Sequence, residues 1–230
     1  MKGRPNASLN RACWTREKVA MKDISEVKKD QAIQGILDAA KEVFAEVGFA
    51  GARVDEIARR AVVNKAMIYY RVGNKATLYS EVLHQAFSGI VERLSRNLEA
   101  AHTPEEKLKA YIRTFVQTFE QNPHLPPIMM REMASGGHHM PEIVITDLGR
   151  ILTILMGILD EGVRQGVFVE AKPSILHLMI ISPIFMRSRM ELIASRRKEH
   201  ARLLRQFDME QPIVVGREIE RFVMRAIKSD

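Results

Sequence analysis

Lys65, Ala66, Met67, Tyr69, Tyr70 and Arg71 lie together in the stretch NKAMIYYRV. These residue types suit one kind of chemistry, the non-covalent reading of a nucleic acid. An ammonium such as that of Lys65 donates to guanine O6/N7 or to a phosphate, and the side chains of Ala66 and Met67 can touch a thymine methyl. Small Ala66 also lets a helix approach base edges closely. The hydroxyls of Tyr69 and Tyr70 and the guanidinium of Arg71 can donate to phosphate oxygens, which hold a reading element in register. Arg53 lies within reach of the same surface. Lys75, beside the free N–H groups of a helix start, is expected to form a phosphate site.

These side chains need elements to position them, and the flanking sequence supplies them. Ile33, Leu37, Ala40, Phe44 and Val47 recur with a helical period, widened by Ile36 and Val43. Gly48 ends that helix, and Phe49 is expected to pack back. A second helix is expected from about Val54 to Ala61, with Val54, Ile57, Ala58 and Ala61 inward and Asp55, Glu56, Arg59 and Arg60 in water. Acidic residues in its first turn suit the helix dipole. Asn64 is the N-cap of a third helix, Lys65 to about Val72. Its residues Ile68 and Val72 face the core, so Lys65, Ala66, Met67 and Tyr70 must face away.

The pieces ILDAAKEVFAEVGF, VDEIARRAVV, NKAMIYYRV and NKATL, at this spacing, resemble the tetracycline-repressor (TetR) family of bacterial transcription regulators. The resemblance covers about 50 residues. It implies an all-α chain with a three-helix, helix-turn-helix DNA-binding domain, here residues 30–76. A larger helical domain for effector binding and dimerisation would follow over residues 77–230. The family's phosphate-contacting tyrosine falls on Tyr69, its helix-four lysine on Lys75, its base-reading positions on Lys65, Ala66 and Met67, and a backbone-contacting position on Arg71. The DNA-binding set is therefore Arg53, Asn64, Lys65, Ala66, Met67, Tyr69, Tyr70, Arg71 and Lys75. The chain departs from the family where Val62 replaces the usual turn glycine, where Arg53 replaces a capping Ser or Thr, and where Val72 replaces an aromatic. A β-branched residue at positive φ is strained.

The remainder reads as helical. Residues 76–101 carry the apolar stripe Leu78, Val82, Leu83, Phe87, Ile90, Val91, Leu94 and Leu98. Thr103-Pro104-Glu105-Glu106 reads as a helix start. Further helices are expected to about Gln121, up to Ser135, from Pro141 to about Gln165, from Lys172-Pro173-Ser174 with a kink at Pro183, and over about Ile213–Lys228. Residues 196–211 are charged and fit no single element. The family resemblance implies a homodimer, since one reading helix covers few base pairs. Candidate interface rows are Leu178, Ile181 and Phe185 with Ile219, Phe222, Val223 and Ala226, each of which ordinary core packing also explains. An apolar effector site is expected among Phe115, Phe119, Met129, Met130, Met133, Leu152, Leu155, Met156, Leu159, Met179 and Ile180, methionine being adaptable. Arg131 and Glu132 are either polar anchors there or a surface pair. The effector would be small and hydrophobic, of unknown identity. The mechanism expected is a population shift, in which the effector favours an arrangement with the reading heads displaced from operator spacing.

Bulk properties bound these readings. A chain of 230 residues, 46% hydrophobic, can bury a sizeable core. Net charge +7 favours an anionic partner, and it concentrates in residues 1–29, 53–75 and 187–205. The basic tail 1–29 lacks helical apolar periodicity and reads as a disordered arm that can add phosphate contacts. The lone Cys13 rules out an internal disulfide and suits a cytoplasmic protein. The richest apolar run, Ile175–Met186, holds His177 and Pro183 and is too short to span a membrane. His124, Glu132, His138 and His139 show no regular ligand spacing, so neither a metal nor another cofactor is expected. No nucleophile with its base is discernible, so an enzyme is not expected. The partners expected are a double-stranded DNA operator, a small hydrophobic effector and a second copy, with no membrane. The rival readings are a helical small-molecule-binding protein without specific DNA binding and a membrane-surface protein that uses its basic stretches.

Overall fold

The computed structural model describes residues 30–196, 202 and 212–229. The expected basic arm, and most of the charged stretch 196–211, lie outside the described residues. Among the described residues every regular element is α-helical, as the apolar periodicity predicts. The helices are α1 (30–51), α2 (Val54–Arg60), α3 (Lys65–Arg71), α4 (Lys75–Glu99), α5 (Pro104–Gln121), α6 (Leu125–Ala134), α7 (Glu142–Arg164), α8 (Pro173–Arg196) and α9 (Pro212–Ile227).

The reading unit is α1–α3 packed on the first turns of α4. Ile36, Leu37, Ala40, Val43 and Phe44 of α1 are buried against Ile57 and Ala58 of α2, Ile68 of α3, and Leu78 and Tyr79 of α4. Val47, expected in the inward stripe of α1, is exposed. Phe49 turns back as expected and meets the Tyr79 ring at 5.1 Å between centroids. Asn74 starts α4, its Oδ1 accepting from the Ala76 and Thr77 amides at 2.9 and 3.0 Å. With 25 residues, α4 is about 37 Å long. It carries Val82, Leu83, Phe87, Ile90 and Leu94 into the second core.

That core is built by α5 and α7 on α4, α9 on α5, and α8 on α7. The start of α5 is a capping box. The Thr103 hydroxyl accepts from the Glu106 amide at 3.2 Å, and the Glu106 carboxylate accepts from the His102 and Thr103 amides. Those backbone donors hold the Glu106 carboxyl below its ordinary range. Buried polar pairs stitch the layers. His84 Nδ1 of α4 lies 2.6 Å from Asp147 Oδ2 of α7, and Asp147 is fully buried. The Tyr111 hydroxyl of α5 lies 2.7 Å from His177 Nδ1 of α8, inside an aromatic cluster with Phe115, Phe119 and Phe185. α8 continues as helix through Pro183.

The end of α9 is tied to the link between α7 and α8. An isolated antiparallel bridge joins Phe168 to Lys228, and the Val169 amide donates to the Ile227 carbonyl at 2.8 Å. The Phe168 ring packs directly against Gly162. A Cβ there would stand 2.0 Å from the ring, so only glycine admits this contact.

Candidate nucleic-acid interface

The turn between α2 and α3 fixes the reading helix. The Val63 amide donates to the Ala58 carbonyl at 3.0 Å and the Val62 amide to Arg59 at 3.4 Å. This is the double closure that usually places glycine at the residue held left-handed. That residue here is Val62, at φ 55° and 89% exposed. The strain foreseen from the sequence is therefore real, and no side-chain packing offsets it. A left-handed β-branched residue costs about 1–2 kcal/mol. Val62→Gly should raise unfolding free energy by about 1 kcal/mol after glycine's own entropy loss, read by urea denaturation. An unchanged or lower midpoint would show that the turn is relaxed.

α3 then starts at Asn64, whose Oδ1 accepts from the Met67 amide at 2.7 Å. The cap occupies the Asn64 side chain, so Asn64 positions the helix. Ile68 anchors the inner face and Val72 packs half-buried against the core. Lys65, Ala66, Tyr69 and Tyr70 are exposed, Tyr70 by 85%, while Met67 and Arg71 are half-buried. The Arg71 guanidinium lies 5.7 Å from the Tyr70 ring centroid. Lys65, Ala66, Tyr69 and Tyr70 thus crowd one outward surface.

Charge is more selective here than the sequence count suggests. Lys65 Nζ sits 3.0 Å from Asp55 Oδ2, which raises the lysine pKa and keeps it cationic. Both partners are exposed, so the pair contributes little and exchanges readily for another anion. Arg59 pairs with Glu56 at 2.7 Å, and Arg53 is exposed at the uncapped start of α2. Arg60 does not face water as expected. It bridges Glu42, Glu46 and Glu56, tying α2 to α1. Arg59 and then Arg60 hold the Glu56 carboxyl down to about 2.

Lys75, expected at a phosphate site, is half-buried and turned toward the end of α1. Its ammonium donates to the Phe49 and Ala52 carbonyls at 3.0 and 3.2 Å and lies 4.5 Å from the Phe49 ring centroid. The carbonyl end of α1 carries partial negative charge, which suits a cation. At the start of α4, Asn74 takes the Ala76 and Thr77 N–H groups.

The expected effector residues separate by burial. Phe115, Phe119, Met129, Leu155, Leu159 and Ile180 are buried, and Met130 and Leu152 are half-buried. Met133, Met156 and Met179 are exposed and do not join them. Sequence reasoning missed the polar pair at the centre, Tyr111 and His177. Arg131 and Glu132 are neither pocket anchors nor a surface pair. Glu132 is buried and accepts from the Tyr79 hydroxyl at 2.7 Å, while Arg131 reaches back to α1. Among the expected dimer residues, Phe185, Ile219 and Val223 belong to the chain's own core, and Ile181 packs partly buried against it. Leu178, Phe222 and Ala226 are exposed. The outward stripe of α8 is Ile175, Leu178, Met179 and Met186. Among the described residues no group of His, Cys, Asp and Glu could hold a metal, and no helix is long and apolar enough to cross a membrane.

Comparison with known proteins agrees with this architecture. The family of bacterial regulatory proteins called tetR matches residues 36–82, which run from α1 into α4. A tetracyclin repressor-like C-terminal domain matches residues 104–198. The chain is 28% identical over 135 residues to the fatty acid metabolism regulator protein of Bacillus subtilis, covering 59% of this chain and 70% of that one. It is 27% identical over 147 residues to the transcriptional regulator RutR of Escherichia coli K12, covering 64% and 69%. The crystal structure of the regulator FadR from Bacillus subtilis in complex with stearoyl-CoA superposes with a TM-score of 0.65 at 21% identity, covering 83% of this chain and 97% of that one. At that identity the superposition speaks for the fold. With a matched reading head, a matched C-terminal domain and the all-α arrangement between them, this chain belongs to the TetR family of bacterial regulatory proteins.

Proposed function

We propose that this chain is a homodimeric repressor that binds a palindromic DNA operator in the cytoplasm and is released by a small hydrophobic effector. The observation that carries the reading is the outward surface of α3. Lys65, Ala66, Tyr69 and Tyr70 stand exposed on a helix capped by Asn64 and anchored by Ile68. Such a surface has no packing role, and its chemistry fits a major groove. Arg53 and Arg71 extend it toward phosphates, with Met67 at its edge. Residues 30–76 form the reading head and residues 77–230 the effector and dimerisation domain.

The second copy is proposed to seat on the α8 stripe Ile175, Leu178, Met179 and Met186, together with Phe222 and Ala226 of α9. An apolar row with this helical spacing, left in water, suits a helix-on-helix contact. The effector is proposed to bind beside the buried Phe115, Phe119, Met129, Leu155, Leu159 and Ile180. The stearoyl-CoA in the FadR structure supports an apolar effector class for this fold.

The test is selection of duplexes from a random pool, followed by anisotropy titration of the selected operator at several salt concentrations. The expected result is a palindrome bound with a log–log salt slope of about −6, from roughly three to four phosphate contacts per head. Adding effector candidates, long-chain acyl thioesters first, should weaken binding. A pool that yields no enriched sequence, with a chain that still binds apolar ligands, would favour the rival small-molecule-binding reading.

A further inference from the structure

We propose that Arg131 is a positioning residue for operator binding. It closes on the carbonyl end of α1 from outside the reading head and thereby sets the angle of the head and the half-site spacing the dimer accepts. Its spacing consequence rests on the repressor reading, whereas the clamp itself does not.

The last turn of a helix leaves carbonyls without intrahelical partners, and they attract cations. Gly48, held left-handed at φ 72°, breaks the regular run of α1, and the carbonyls on either side of that break are shared between two basic residues. Lys75 of α4 takes Phe49 and Ala52. Arg131 of α6 takes Ala45 and Glu46, with Nε and Nη2 at 3.4 and 2.5 Å. The guanidinium fork suits two carbonyls on successive residues, which an ammonium cannot match. Gly48 lets the arginine stem pass close to the backbone: a Cβ there would stand 3.3 Å from Arg131 Cδ, at a φ of 72°.

The neighbouring contacts keep this end of α6 in place. Glu132 is buried, accepts from the Tyr79 hydroxyl of α4 at 2.7 Å, and accepts from the His139 amide at 3.3 Å. The His139 ring then lies over Phe49 of the head, 4.5 Å between centroids. At the other end of the same α1–α6 seam the packing opens into a cleft of about 150 Å³, lined by Asp38 and Lys41 of α1 and by His124, Leu125 and Ile128. Arg131 of α6 and His139 just beyond it thus both meet the end of α1. A displacement of α6 therefore reaches α1 through Arg131 as well as through the Glu132–Tyr79 bond to α4.

The experiment compares the wild-type chain with Arg131→Met, which keeps the stem and removes the donors, and with Arg131→Lys. Selection from pools with variable spacers should give one spacer length for the wild type. Arg131→Met should enrich spacers one or two base pairs longer and shorter, bind the wild-type operator about fivefold more weakly, and bind an isolated half-site equally well. Arg131→Lys should fall between them. In a Cys13→Ser background, spin labels at Ala66→Cys and Thr153→Cys report the head-to-body distance without DNA, and Arg131→Met should broaden that distribution. Unchanged spacer preference with an unchanged distance distribution overturns the proposal. So does an equal loss on half-site and palindrome, which would mark a purely structural residue. If the wild type selects no sequence at all, the repressor reading fails and the distance distribution alone decides the clamp.

Discussion

Replacing Lys65 by Met and Tyr69 by Phe in one chain is expected to lower operator affinity about a thousandfold, roughly 4 kcal/mol. Each replacement acts twice in a dimer. A base-edge contact from a basic side chain is worth about 1–3 kcal/mol, and a hydrogen bond from a phenol to a phosphate at least about 1 kcal/mol. Taking about 1 kcal/mol for each in each head gives the total. The pairing of Lys65 with Asp55 at 3.0 Å reduces it little, because an exposed ion pair holds less than about 1 kcal/mol. The single variants should differ in kind. Lys65→Met should change which base is preferred and flatten the salt slope by about two, one charge per head. Tyr69→Phe should weaken every duplex alike and leave the slope unchanged, since the phenol is neutral. Anisotropy titrations on the selected operator and a scrambled duplex separate these outcomes. A double variant that binds within threefold of wild type would mean that α3 does not read the groove.

The reading head was legible because its signals are local. Asn64 and Thr103-Glu106 announce helix starts by side chains that reach amides two or three residues away, and the structure shows those bonds. Val62 stands where a left-handed residue is needed, and the structure holds it there. The second domain was less legible for a physical reason. α8 is apolar almost all round, with Ile175, Leu176, Leu178, Met179, Ile180, Ile181, Ile184 and Phe185 in one run. Periodicity cannot choose a buried face when every face is apolar. The fold chooses Leu176, His177, Ile180 and Ile184, leaving Ile175, Leu178 and Met179 outward. A reading that paired Leu178 with Phe185 on one interface was therefore rotated about the helix axis. Cations posed the same difficulty. Nothing near Lys75, Arg60 or Arg131 in the sequence says that each closes on α1, because the partners are set by packing between elements. The family pattern places Lys75 beside DNA, and the sequence gives no sign that its ammonium also bonds the carbonyls of Phe49 and Ala52.

Acid should destabilise the second domain through His177. Burial depresses its pKa to about 4 from an ordinary value of 6.5. Above pH 6.5 the imidazole is neutral in both folded and unfolded chains, and its environment makes no pH-dependent difference. Below pH 6.5 the unfolded chain takes up a proton that the folded chain refuses. Stability is thus fully present above the unfolded pKa and is lost as the pH falls toward the folded one. The limiting slope is about 1.4 kcal/mol per pH unit, or about 3 kcal/mol by pH 4. The ring lies beside Tyr111 and Phe115 with Nδ1 2.7 Å from the Tyr111 hydroxyl. Urea denaturation of wild type and His177→Gln from pH 7.5 to 4.5 isolates this group from the carboxylates that also titrate. The variant keeps an amide able to bond the Tyr111 hydroxyl, so a constant offset between the two chains is expected above pH 7. That offset should shrink as the pH falls, by about 2 kcal/mol at pH 5. An offset that stays constant across the series would place the ring within reach of water and remove the depressed pKa. Because Tyr111 and His177 join α5 to α8 among the buried residues proposed for effector binding, the same protonation should loosen that site first. Effector affinity should therefore decline over the same pH range while half-site DNA binding holds.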